Sequence, residues 1–139
     1  KSVLILIGKE ISHGERLSEM ANDLFDFKVP FLYGGTNKND RKDYKEMLKS
    51  KELKCAIANV IWYEGINIPP IDIIINAEGG KASGKTLQKA GRGLRTADGK
   101  THLIIVDFLD PYKYLSHHCV LRLSTYAEQG WLKPDLSKI

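Results

Sequence analysis

Gly79-Gly80-Lys81-Ala82-Ser83-Gly84-Lys85-Thr86-Leu87-Gln88-Lys89-Ala90-Gly91-Arg92-Gly93-Leu94-Arg95 is the stretch on which the reading of this chain turns. Its first half, Gly79–Thr86, fits G-x-x-x-x-G-K-[ST], a glycine-rich loop whose backbone amides cradle phosphates. Its second half, Gln88–Arg95, fits a different pattern, Q-x-x-G-R-x-x-R. The first makes the chain a self-contained nucleotide-binding enzyme. The second makes it one part of a machine whose phosphate loop lies elsewhere.

The phosphate-loop reading has context behind it. A hydrophobic strand precedes the loop and a helix follows it, as the motif requires. Lys85 would contact the β and γ phosphates and Thr86 the metal, while Leu103–Asp107 has the form of an apolar strand ending in a magnesium-binding aspartate. Against it, three strand-like segments come first, whereas a phosphate-loop strand usually opens its domain. Between Thr86 and Asp107 there is room only for a short helix and a turn. Gly91 and Gly93 also weaken the helix whose amino end would carry the phosphate. A flexible surface loop matching by chance accounts for the same letters.

The second pattern asks for an anion. Arg92 and Arg95 share a helix face and repel one another unless a negative group lies between them. A guanidinium fork grips phosphate through two parallel bonds, which an ammonium cannot do. The intervening glycines let backbone and ligand approach closely. Gln88, one turn earlier, can bond the same ligand. Such a set suits charge building on a transferring γ-phosphoryl group. Taken alone, the bland alternative of a basic helix end in water stands beside it.

Working outward, apolar runs alternate with helical patterns. Val3–Ile7, Val29–Tyr33, Lys54–Val60, Ile71–Ala77 and Thr101–Phe108 read as strands. Ser12–Glu15 has capping-box spacing before a helix with Leu17, Met20, Ala21, Leu24 and Phe25 on one face. Asn37–Asp40 opens a charged helix to about Ser50, with Tyr44, Met47 and Leu48 inward. A short helix is expected over Thr86–Leu94. Asp110-Pro111 fits a cap and first turn, followed by Leu115, Cys119, Leu123 and Tyr126 at helical spacing. Alternation of this kind implies an α/β fold with a mostly parallel central sheet covered by helices on both faces. Ligands then bind at the carboxyl ends of the strands, so the informative loops are Gly8–Glu10, Gly34–Asn37, Asn59–Pro70 and Glu78–Lys85.

Composition sets limits. The chain has 139 residues, 42% apolar and 27% charged, enough for one domain with a full core. No apolar run reaches the roughly 18 residues of a membrane span, and no secretory leader is visible, so no membrane partner is expected. The net charge of +4 permits nucleic-acid contact without establishing it. Cys55 and Cys119 read as buried free thiols of a reducing compartment. No metal-ligand cluster is expected, since the adjacent His117 and His118 diverge on a helix. Opening on Lys1 with a strand following at once suggests a fragment of a longer protein.

The motifs also fall in a familiar order. Ala58–Pro70, ANVIWYEGINIPP, followed by the strand Ile71–Ala77, resembles the superfamily 2 helicase segment in which a threonine-containing loop leads to E-G-hydrophobic-D-hydrophobic-P. Gln88–Arg95 looks like the arginine motif that follows it, and Leu32–Gly35 resembles the family's H-G-G segment. Val3–Leu17 resembles the strand and helix that open the second motor lobe. The closing segment, with Y-L-x-x-H and R-L-x-x-Y spacing, is similar to that of phage and repair-type members.

The resemblance implies a RecA-like three-layer lobe over residues 1–109, with 110–139 as a closing helix and tail packed on it. It implies that ATP and Mg2+ are held mainly by an N-terminal RecA-like lobe of the same parent chain. Arg92, Arg95 and Gln88 take the catalytic positions, the two arginines as fingers. Gly65 and Asn67 lie near the nucleotide. Lys9, Gly34, Gly35, Asn59, Lys81 and Lys85 line the nucleic-acid path, with DNA expected in preference to RNA. Asn67 stands where the family has aspartate, Asn59 where it has threonine, and Lys89 where arginine is commoner. The implied activity is ATP-dependent helicase or translocase action of the parent, in repair or recombination, in the cytoplasm or nucleus, with the isolated chain inactive. A self-contained phosphate-loop NTPase or kinase, and a non-catalytic nucleic-acid-binding domain, are the alternatives.

Overall fold

A computed structural model describes residues 1–59, 71–80, 87 and 103–132. Five strands form one sheet: β1 (Val3–Ile7), β2 (Phe31–Leu32), β3 (Cys55–Asn59), β4 (Ile73–Asn76) and β5 (Ile104–Asp107). Their order is β2-β3-β1-β4-β5, and every pairing is parallel. β1 therefore lies at the centre, hydrogen-bonded on both sides. That is why its sequence, VLILI, is apolar at every position: a parallel strand inside such a sheet has no wet face.

Alternation along the strands sorts the core into two layers. Leu4 and Leu6 of β1, Ala56 and Ala58 of β3, Leu32 of β2 and Ile74 of β4 are buried in one cluster. Helix α2 (Lys38–Ser50) supplies Leu48, Tyr44 and Met47 to it, and helix α3 (Lys113–Glu128) supplies Tyr126 and Leu123. Leu87, buried, belongs to the same cluster. Ile5 and Ile7 belong to the second cluster, with Ile57 and Val29, and helix α1 (Ile11–Leu24) closes it with Leu17 and Ala21. Helices on both faces of the sheet make the three layers anticipated from the sequence, and every pairing among the described strands is parallel.

Local chemistry explains the helix ends. α2 starts where Asn37 accepts the Asn39 amide at 2.9 Å, a side-chain cap of the expected kind. α1 departs from expectation. It begins at Ile11, one residue before Ser12, so Ser12 is no cap; its hydroxyl donates to Glu10 Oε1 at 2.8 Å. At the far end Leu24 is 76% exposed and Phe25 lies past the last turn, stacked on Phe27 with centroids 5.1 Å apart. Only Leu17 and Ala21 of the expected face pack inward, and α1 lies chiefly against β3 and β2. Asp110-Pro111 precedes α3 rather than opening it. Asp110 Oδ1 accepts the Tyr112 amide at 3.1 Å, a turn that delays the helix to Lys113. β1 fills its apolar run, whereas Val29–Tyr33 yields a strand of only two residues, Pro30 having no amide to donate to a ladder. Among the described residues, no helix is long and apolar enough to cross a membrane.

Candidate functional site

Because all five strands are parallel, their carboxyl ends share one edge of the sheet. Register fixes their order there. Leu32 lies beside Ala58, and Ile7 beside Asn59, so Tyr33-Gly34-Gly35, Asn59 and Gly8-Lys9 follow one another along that edge. Leu6 lies beside Asn76 and Asn76 beside Asp107, which continues the row through Ala77–Gly80 to Phe108. Lys9, Gly34, Gly35 and Asn59, expected from sequence along one path, are thus brought together by topology. Gln88, Arg92, Arg95, Gly65, Asn67, Lys81 and Lys85 lie outside the described residues.

The Gly34–Gly35 turn is built tightly. Thr36 Oγ1 accepts the Tyr33 amide at 3.0 Å, and the Thr36 amide donates to the Tyr33 carbonyl at 3.0 Å. Arg41, from the first turns of α2, donates Nε to the Thr36 carbonyl at 2.8 Å and Nη2 to the Gly34 carbonyl. A Cβ on Gly35 would stand 2.6 Å from the Tyr33 ring, so only glycine lets that ring fold over the turn. Lys9 is exposed beyond β1, as a phosphate-contacting lysine needs to be, whereas Asn59 is only 1% exposed at the end of β3.

The β4–β5 end of the edge holds a network that sequence reasoning missed. Asp107 ends β5, and Arg122, 3% exposed, reaches it from α3. Arg122 Nε lies 2.8 Å from Oδ2 and Nη2 lies 3.0 Å from Oδ1, a two-point fork. Tyr126 donates its hydroxyl to Oδ2 at 2.6 Å, Asn76 Nδ2 donates to it at 3.2 Å, and the Phe108 amide donates to Oδ1 at 2.7 Å. Burial pushes the Asp107 carboxyl up, but the bonds from Arg122 and Tyr126, the Arg122 charge and the Asn76 amide outweigh it and hold the group below the ordinary carboxylate range. Burial opposes the Arg122 charge, and the Asp107 bond and charge more than restore it. Burial and the bond to Asp107 push the Tyr126 phenol well above its usual range. The signal in the sequence was R-L-x-x-Y, whose ends sit one helical turn apart and so reach the same carboxylate.

This network changes how Asp107 reads. The phosphate-loop alternative needs its carboxylate for magnesium, yet both oxygens are engaged within the protein. Among the described residues, no group of three acidic, histidine or cysteine side chains is placed to hold a metal. Beside the network lies a cleft of about 320 Å³ bordered by His13, Leu17, Gly79, Leu115, Cys119 and Arg122. Both cysteines are free, and Cys119 Sγ accepts the Asp110 amide at 3.2 Å.

A family model described as the helicase conserved C-terminal domain matches residues 3–97, and the chain belongs to that family. Its fold is that of a RecA-like helicase C-terminal lobe. The putative mitochondrial ATP-dependent helicase irc3 of Schizosaccharomyces pombe is 31% identical over 87 residues, 63% of this chain and 14% of that protein. The ATP-dependent rRNA helicase RRP3 of Candida glabrata is 26% identical over 107 residues, 77% of this chain and 22% of that protein. The chain thus spans a small part of the curated relatives it matches. Among solved structures, the yeast DEAD-box splicing factor Prp28 aligns with a TM-score of 0.71 at 18% identity, over 93% of this chain and 27% of that one. The C-terminal domain of the DEAD-box protein Dbp5 aligns at 0.67 and 15%, over 95% and 72%. At such identities the likeness is one of fold. The family match stops short of β5 and α3, where the Asp107–Arg122 network lies.

Proposed function

We propose that this chain is the second motor lobe of an ATP-dependent helicase or translocase. It supplies Arg92 and Arg95 as fingers to ATP bound on an N-terminal lobe, with Gln88 linking nucleotide to nucleic acid and Gly65 and Asn67 beside the nucleotide. The observation that carries the reading is the shared edge. The chain leaves β1, β2 and β3 beside Lys9, Gly34-Gly35 and Asn59 on the same side of the sheet as Gly79-Gly80, which precede the arginine pair in sequence.

The mechanism is positional. Closure of the two lobes brings the guanidiniums to the γ-phosphoryl oxygens, where their charge matters most as the transition state forms; opening withdraws them. ATP and Mg2+ belong mainly to the other lobe. Lys9, the Gly34-Gly35 turn, Lys81 and Lys85 contact nucleic-acid phosphates, with Asn59 buried at the end of β3 on the same edge, so binding is weakly sequence-dependent and falls with salt. DNA is the expected track, with a role in repair or recombination as in the branch whose closing helix this one resembles. The rRNA helicases among the relatives make RNA the track to run beside it. Such a motor works in the cytoplasm or nucleus.

Two experiments test this. In the parent protein with both lobes, Arg95→Ala should abolish most ATP hydrolysis while leaving nucleotide binding; hydrolysis at the parental rate would remove the finger assignment. Calorimetric titration of the isolated chain with Mg-ATP should show no binding that depends on Lys85. Micromolar binding lost on Lys85→Ala would establish the phosphate loop instead.

A further inference from the structure

We propose that Phe108–Leu115, where the chain leaves β5 and enters α3, is a stacking platform for unpaired bases of the nucleic acid. This inference rests on the nucleic-acid reading of the carboxyl edge and adds base contacts to the phosphate contacts placed there. Five of these eight residues are large, apolar or aromatic, and exposed: Phe108, Leu109, Tyr112, Tyr114 and Leu115. Tyr112 and Tyr114 are 75% and 82% exposed, while Cys119, Arg122 and Tyr126 form the buried side of α3. Among the described residues, neither tyrosine ring packs on another ring and neither hydroxyl makes a hydrogen bond. Both rings thus keep apolar faces in water that a stacked base would cover.

Position and chemistry select bases as the occupant. β5 ends on the same edge as β1, β2 and β4, so Phe108 follows in the row that begins with Gly34-Gly35 and passes Lys9. A strand held by its phosphates along that row arrives at these rings. Exposed Lys113 stands between the two tyrosines in sequence, and exposed His117 lies one turn further on. The core of a protein interface is depleted of lysine, whereas a ring, a cation and a second ring match a base, a phosphate and the next base. Asp110 is the acid of the segment, and it is turned to the backbone, its Oδ1 accepting the Tyr112 amide at 3.1 Å. Every base has a face to stack, so such contacts tolerate sequence and agree with binding led by phosphates. The platform lies beyond residue 97, where the family match ends.

The test uses the parent protein with both lobes and fluorescence anisotropy of two labelled single strands of equal length. One carries pyrimidine bases; the other is abasic throughout and keeps the same phosphates. Both are made as DNA and as RNA, and the sugar bound more tightly is used. Tyr112→Ala combined with Tyr114→Ala should weaken the base-bearing strand about tenfold and leave the abasic strand within about twofold. Tyr112→Phe combined with Tyr114→Phe keeps both rings and should bind both strands as the parent does. Lys113→Ala should weaken both strands alike and lower the salt slope by about 1. Unchanged affinity for the base-bearing strand in the alanine pair overturns the inference. So does an equal loss on both strands, which would place the damage in the phosphate path. A lowered thermal midpoint with affinity intact also overturns it, and would assign the rings to packing within the parent. If the parent binds no strand at all, the nucleic-acid reading is what fails, and this inference falls with it.

Discussion

Arg122 and Asp107 form a forked ion pair at the carboxyl edge of the sheet, with nitrogen-oxygen distances of 2.8 and 3.0 Å and the arginine almost wholly out of water. The pair joins α3 to β5, and Tyr126, Asn76 and the Phe108 amide also donate to the carboxylate.

Removing one partner of this pair should be costly. Arg122→Met leaves the Asp107 carboxylate and the Gly79 carbonyl short of donors in a dry site, at about 3–5 kcal/mol. Urea denaturation of the isolated chain measures it. Adding Asp107→Leu should restore part of the loss, since the uncompensated charge goes with it. The Tyr126 hydroxyl and Asn76 amide still lose an acceptor, so restoration should be incomplete. Additive losses in the double variant would mean that the pair is not energetically coupled.

Acid should weaken the same contact. The folded-state pKa of Asp107 lies below its unfolded value, so the group favours the folded state above about pH 4, the ordinary carboxylate value. That contribution is lost as pH falls through the lowered folded value. Unfolding free energy followed from pH 6 to pH 2.5 should therefore drop more in the parent chain than in Asp107→Asn. Parallel pH profiles would contradict the assignment.

Gly14 should not tolerate a side chain. It is buried in α1, and a Cβ there would stand 2.2 Å from the Phe31 ring of β2. Alanine offers a helix about 1 kcal/mol over glycine, but forced overpacking costs about 1–3 kcal/mol, and so deep an overlap puts the balance against Gly14→Ala. Shortening the ring with Phe31→Leu should recover stability in the double variant. Thermal unfolding of the four proteins completes the cycle.

Cys55 should be a sluggish nucleophile. Burial pushes its thiol up to about 11, leaving little thiolate near neutrality. A chromogenic disulfide reagent at pH 8 should label it slowly in the native chain and rapidly in denaturant. Fast native labelling of the Cys119→Ser variant, in which Cys55 is the remaining thiol, would contradict the burial.

Much was legible in the sequence because it was local or periodic. The fully apolar Val3–Ile7 announced a buried parallel strand, and it is the central one. Asn37 announced the start of α2, and the spacing of Tyr44, Met47 and Leu48 its inner face. The ordered motifs pointed to the family. Boundaries were less legible. Apolar runs such as Val29–Tyr33 overstate strands because hydrophobicity records burial, while a strand needs a partner with free amides. Ser12 and Asp110 had the right type and spacing for caps, and competing contacts with Glu10 and Tyr112 decided otherwise.

By itself the sequence determined the alternation of strands and helices, and with it a sheet whose functional loops share an edge, because periodicity depends only on neighbours along the chain. It also offered Asp107 as a magnesium ligand. Only the tertiary structure decided what that carboxylate does. Its partners, Arg122 and Tyr126 from α3 and Asn76 from β4, are distant in sequence. A carboxylate's role is fixed by which donors folding brings within hydrogen-bond reach, and no local pattern records that.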